Sequence, residues 1–311
     1  MMRILDLAEH NLEAMELYTR LLESCADAFS PEEVRAFAAD CGLPEADALP
    51  MLLGAAAGLR PDEEPQHRLL YEKYLLPALR PLDAETYARD PYYAGIAFPE
   101  KKLGRWAFRT QVFAPYAIFP CGDTLALPDG REIQPLGYFT EPFPYPAVLQ
   151  DGREWMTVTP NEVETMRADV AAARGHIAVF GLGLGYYAFM AARKSDVTSV
   201  TVIELDAEII SLFQDHLLPQ FPEKHKIRIL HADAFQFLQN TDMAQFDFCY
   251  FDIWHNVADG VPLYLELRRR MAAWPHLPCR YWIEQSMLIW LRGVAMDGVA
   301  PLLDGRQTTD Q

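Results

Sequence analysis

The sequence predicts an α/β chain in which a doubly wound, mostly parallel sheet follows a small antiparallel β region and an N-terminal helical region. Three observations carry that reading. Apolar runs of strand length alternate with helix-period segments through the second half. Asp-Gly dipeptides separate short apolar runs in the middle, a mark of tight hairpins. The first eighty or so residues instead place apolar side chains three and four apart, with prolines at helix starts. We therefore divide the 311 residues into an acidic helical region (1–88), a small antiparallel β region (89–160) and a parallel-sheet domain with a shortened C-terminus (161–311). A chain of this length buries a sizeable core without disulfides or metals.

In the front region Leu5, Ala8, Leu12, Met15, Tyr18 and Leu22 form one apolar stripe on an acidic cylinder. Ser30-Pro31-Glu32-Glu33 then supplies a cap, a proline at the first helical position and a glutamate placed for a capping box. Further helices follow Pro44 and Pro65, and Pro81 closes the last. From about Asp90 aromatic and β-branched residues dominate. A strand is expected over 106–113, and hairpins join 124–127 to 132–134 and 147–149 to 154–158. Thr159-Pro160-Asn161-Glu162 reopens a helix. Beyond it, strands over 176–180, 199–203, 226–230, 246–251 and 280–283 alternate with helices such as 186–192, 207–217 and 263–274. That alternation implies right-handed crossovers in a parallel sheet. After a helix over 286–299 only a dozen residues remain, so sixth and seventh strands are missing or greatly shortened.

The charge balance excludes some partners. Forty-four acidic residues against twenty-seven basic ones give a net charge of −17. Nineteen acidic and eight basic residues fall within 1–100, a local net of 8 − 19 = −11. Nucleic acid and acidic membrane surfaces are repelled by such a segment, since binding a polyanion needs clustered Lys and Arg. A small-molecule substrate is the expected partner, and the N-terminal region leaves room for a homodimer or a protein partner. Cys25, Cys41, Cys121, Cys249 and Cys279 are scattered, odd in number and without a CxxC pair, as reduced cytosolic thiols are. No run resembles a targeting or membrane segment, so a cytoplasmic location is expected. The histidines lack ligand spacing, and no metal is expected.

The chemistry concentrates at the ends of the second-half strands. The first runs into Gly181-Leu182-Gly183-Leu184-Gly185, where glycines let the backbone turn sharply and approach a ligand. A dinucleotide turn wants a further glycine at the sixth position, which is Tyr186. The second strand ends in Glu204, with Asp206 beyond it, where a carboxylate can accept from ribose hydroxyls. Asp233, Ala234 and Phe235 follow the third strand, suited to an adenine amino group and ring. The fourth ends in Asp252-Ile253-Trp254-His255. Open α/β sheets bind ligands outside these strand ends. Each residue also has a structural reading. The glycines can form an ordinary turn, Glu204 can serve a helix N-terminus, Asp233 and Asp252 can cap, and His255 can make one local hydrogen bond.

Residues 176–255 resemble the cofactor half of class I S-adenosylmethionine-dependent methyltransferases, a Rossmann-like fold. The nearer likeness is to the spermidine synthase (aminopropyltransferase) branch. That branch also has a hairpin like Leu149-Gln150-Asp151-Gly152, then segments like Thr159-Pro160-Asn161-Glu162 and Glu164-Thr165-Met166. The likeness covers roughly 145–290 and does not reach the acidic front. It implies S-adenosylmethionine as cofactor, with Gly181, Gly183 and Gly185 in the turn, Glu204 on the ribose, Asp233 and Ala234 at the adenine, and Asp252 facing the reacting group. Spermidine synthases carry aspartates where Leu184 and His255 stand here. The expectation is therefore a methyltransferase acting on a small-molecule acceptor, with Asp252 orienting the acceptor and His255 taking its proton. The alternatives are an aminopropyltransferase relative and a non-catalytic cofactor-binding scaffold. Gly183 is expected to lie where a side chain would strike the cofactor.

Overall fold

A computed structural model describes residues 4–304. The first helix, α1 (Ile4–Ser24), buries Asn11, Ala14, Leu17, Tyr18 and Leu21 and leaves Leu12 exposed. The buried face is thus rotated from the predicted stripe. The reason is Asn11, only 8% exposed, which an apolar count passes over. Its amide donates to the Gly130 carbonyl and accepts from the Tyr74 hydroxyl at 2.9 Å and the Glu132 N–H at 3.2 Å. Leu5 lies outside the described side chains. Helix α2 (Pro31–Cys41) carries the predicted Ser30–Glu33 capping box, and α3 is Glu45–Ala56. These helices share a core with Tyr116, Ile118, Ile133, Leu136 and Tyr138 from the β-rich segment.

Strand β1 (Lys101–Leu103), β2 (Trp106–Phe113), β3 (Phe143–Gln150) and β4 (Arg153–Thr157) form an antiparallel sheet in that order. Asp151 and Gly152, at φ of 52° and 84°, make the left-handed two-residue turn between β3 and β4. The other predicted hairpin forms from Leu125–Ala126 and Glu132–Ile133. Leu79–Pro81, expected to close a helix, instead runs as a strand parallel to Leu136–Tyr138.

Helix α4 (Pro160–Ala172) starts at the Thr159–Glu162 capping box. Strands β5 (Gly175–Phe180), β6 (Val197–Glu204), β7 (Ile227–His231), β8 (Phe248–Phe251) and β9 (Cys279–Tyr281) follow. They make a five-stranded sheet, all parallel, in the order β7-β6-β5-β8-β9. The connecting helices are α5 (Tyr186–Ala192), α6 (Ala207–His216), α7 (Ala234–Asn240), α8 (Val257–Met271) and α9 (Glu284–Asp304). This is the doubly wound, Rossmann-like α/β architecture the alternation predicts, and among the described residues the sheet stops at five strands.

Several boundaries shift by a few residues from the sequence reading, two of them for a visible reason. Helix α8 begins before Pro262, because Asn256 caps it and a proline so near the start forfeits a single backbone bond. Strand β9 ends at Tyr281 because Ile283 takes a left-handed φ of 49° and the chain turns into α9. Glu284 therefore heads the helix α9. No described helix is long and apolar enough to cross a membrane.

Register fixes where the site falls. Phe180 pairs with Ile203 on one side and Phe251 on the other, and Glu204 pairs with His231. Gly181, Glu204, His231 and Asp252 are consequently drawn into one row along the carboxyl edge. The order of strands reverses at β5, so the crevice opens above that row.

Candidate functional site

The glycine turn is shaped first by the protein itself. Gly181, at φ 98°, has its N–H on the Ile203 carbonyl at 2.9 Å, and an added Cβ would run into the Asp252 backbone carbonyl. Gly183, at φ 52°, faces Met156 of β4, whose Cε would lie 2.8 Å from an added Cβ. Gly183 also lines both cavities described below, so a side chain there would meet Met156 as well as anything bound beside the turn. Gly185 packs against Phe213 and Phe221 and lines neither cavity described below.

Two cavities adjoin the row. The larger, about 500 Å³, is lined by Gly181, Gly183, Glu204, Asp233, Ala234 and Phe235, with Trp106 and Trp155 from the antiparallel sheet. Glu204 accepts from the Leu182 N–H at 3.0 Å through one oxygen and from the Asp206 N–H at 2.9 Å through the other. It therefore braces the turn, and each oxygen keeps a lone pair for a hydroxyl. Asp233 caps α7, its Oδ1 accepting from the Gln236 N–H at 2.8 Å, while also lining the cavity. Both residues thus serve the local structure and also line the cavity.

The smaller cavity, about 230 Å³, lies toward α4 and α5. Glu154, Glu162 and Asp252 line it among the rings of Trp155, Tyr186, Tyr187, Tyr250, Trp254 and Trp282. Asp252 and His255 border both cavities. Among the described residues, no lysine or arginine lines either one.

Asp252 is 7% exposed, and its Oδ1 has no partner. Burial, then the charge of Glu162, pushes its carboxyl well above the ordinary range. Burial also raises Glu162, against the Thr159 hydroxyl and N–H that hold its carboxylate in the capping box. The two acids share a buried site without a lysine or arginine, which disfavours ionising both at once. A positive ligand beside Asp252 would favour its ionised form. Four of the five partnerless buried side-chain polar atoms among the described residues border these cavities: Asp252 Oδ1, Tyr250 Oη, Trp254 Nε1 and Trp106 Nε1. Buried polar atoms normally find partners, so this concentration points to polar contents.

His255 is exposed, its ring edge-on to Trp155 with centroids 3.9 Å apart. Its N–H donates to Asp259 at 3.0 Å, so the loop after β8 is pinned while the ring remains at the rim. Sequence reasoning missed Glu154 and Glu162. The capping-box spacing accounted for Glu162 completely and left no residual signal. The described residues contain no group of three or more side chains that could hold a metal.

No family model and no curated protein matches the chain. Solved structures match part of it. A spermidine synthase from Thermotoga maritima is 17% identical over 36% of this chain and 41% of its own, with a TM-score of 0.28. A spermidine synthase in complex with the transition-state analogue AdoDATO is 16% identical over 35% and 40%, with a TM-score of 0.28. A Klebsiella pneumoniae protein assigned as an O-methyltransferase is 20% identical over 33% and 45%, with a TM-score of 0.25. The matches span less than half the length of each of these proteins.

Proposed function

We propose that the chain is an S-adenosylmethionine-dependent methyltransferase acting on a small amine acceptor. The observation that carries the reading is the meeting of two cavities at Asp252, on the carboxyl edge of a parallel sheet whose neighbouring strand ends carry Gly181 and Glu204. The larger cavity fits the nucleoside. Glu204 faces the ribose hydroxyls, the free oxygen of Asp233 faces the adenine amino group, and Ala234 and Phe235 wall the ring. The partnerless Trp106 indole supplies a further donor there.

Bound there, the cofactor supplies an electrophilic methyl carbon, and displacement on it needs alignment more than acid–base help. The chain's residues provide that alignment. Asp252 Oδ1 accepts from an acceptor N–H, Glu162 and Glu154 favour a positive charge beside it, and the Tyr and Trp rings exclude water and stabilise a cation through their faces. His255, at the rim, receives the proton that the amine gives up.

One feature favours a second reading, aminopropyl transfer. An amino-acid carboxylate on the nucleoside finds no lysine or arginine in either cavity, whereas a decarboxylated, ammonium-bearing tail suits Asp252 and Glu162. Calorimetric titration with S-adenosylmethionine, S-adenosylhomocysteine and decarboxylated S-adenosylmethionine separates the readings. Methyl transfer predicts binding of the first two at comparable affinity. A preference of tenfold or more for the third would reverse the order, and silence with all three would leave a non-catalytic scaffold.

A further inference from the structure

Cys249 and Cys279 are thirty residues apart in sequence, and the fold brings them side by side. They are paired in register on the adjacent parallel strands β8 and β9. Neighbouring strands lie about 4.8 Å apart, inside the roughly 4.4–6.8 Å Cα window a disulfide spans. Residues paired in register also project to the same face of the sheet.

The two thiols differ in a way that suits a reaction. Cys249 is fully buried, whereas Cys279 sits half-exposed on the edge strand. Beside Cys279 and buried, the Cys249 thiol is pushed above its ordinary range. In the reduced chain the Cys279 thiol donates to the Leu277 carbonyl at 3.4 Å, a weak bond easily given up.

We propose that Cys249 and Cys279 are an oxidisable pair that closes a disulfide between the last two strands of the sheet, with Cys279 attacking a peroxide and Cys249 resolving the product. In the first step the Cys279 thiolate bonds to one peroxide oxygen, the O–O bond breaks, and water leaves after protonation. In the second, Cys249 sulfur attacks the Cys279 sulfenic acid, the S–O bond breaks and a second water leaves. Two thiols lose two electrons in total and one peroxide gains them. Three residues beyond each cysteine stand Asp252 and Trp282, both walls of the smaller cavity. The cross-link therefore ties together the two strand ends that shape it, and a reducing compartment reopens it.

The test treats the reduced full-length protein with hydrogen peroxide in the presence of dimedone, alkylates remaining thiols, and maps peptides without reductant. The expected wild-type result is a Cys249–Cys279 linked peptide, lost on adding dithiothreitol, with no dimedone on Cys279. In Cys249→Ala, Cys279 should carry dimedone; in Cys279→Ala, Cys249 should stay unmodified. The exposed Cys41 reports ordinary surface oxidation. Wild-type protein in which Cys41 is oxidised while Cys249 and Cys279 remain free thiols would overturn the proposal, as would dimedone on wild-type Cys279 without the linked peptide. Both outcomes are read on the wild-type chain, so they stand even if a variant fails to fold.

Discussion

Asp252 and Glu204 show how one side chain can serve both the fold and the site. Asp252 has its folded pKa raised by burial and by Glu162, so its stabilising contribution is complete below its unfolded value and is lost as pH rises through the folded one. Replacing it with Asn removes that loss. We expect ligand-free Asp252→Asn to gain melting temperature relative to wild type on going from about pH 5 to about pH 8. The same variant should bind a short diamine at least tenfold more weakly, about 1.4 kcal/mol. Parallel melting curves that do not diverge with pH would count against the buried acid. Glu204 makes a contrasting case. A ribose contact alone predicts that Glu204→Ala weakens nucleoside binding and leaves the free protein untouched. With its two backbone bonds to Leu182 and Asp206, the Ala variant should also lose about 1–3 kcal/mol of ligand-free stability. Denaturant unfolding of the free variant reads this directly.

At the scale of elements, the β3–β4 hairpin makes the site out of two sheets. Its Asp151-Gly152 turn was legible, because both positions need left-handed backbone and few residues accept it. Its reach over Gly183 was not, since Met156 reads in sequence as any core methionine. The contact gives a prediction. Gly183→Ala should cost about 1–2 kcal/mol, from the left-handed φ, because the thioether end of Met156 can swing aside. In a Met156→Ala background the same change should cost about as much. A clearly smaller cost in that background would show that the methionine presses on the turn. The central strands β5 and β8 were readable for a related reason: buried over most of their length, they are short apolar runs. Their register was not readable, and register is what makes a row of Gly181, Glu204 and Asp252 and a pair of Cys249 and Cys279. Capping boxes at Ser30 and Thr159 were legible because their spacing is local. The burial of Asn11 depends on Gly130 and Glu132, far along the chain, and sequence periodicity carries no trace of it.

At the scale of the whole molecule, two hydrophobic cores meet in the β-rich segment, one beneath the acidic helices and one around the parallel sheet. The net charge of −17 surrounds cavities that hold carboxylates and, among the described residues, no lysine or arginine. Such a field draws cations and is screened by salt. Association of a short diamine should therefore slow several-fold between about 0.05 and about 0.5 M salt, whereas that of neutral adenosine should barely change. Stopped-flow fluorescence of Trp155 and Trp254 can follow both. The central claim is that the larger cavity takes an adenosyl nucleoside with its sulfur directed at Asp252. A crystal structure with S-adenosylhomocysteine tests it most directly. It should show the ribose on Glu204, the adenine between Asp233 and Phe235, and the sulfur within about one bridging water of Asp252 Oδ1. A ligand seated elsewhere, or one whose sulfur points away from Asp252, would contradict it.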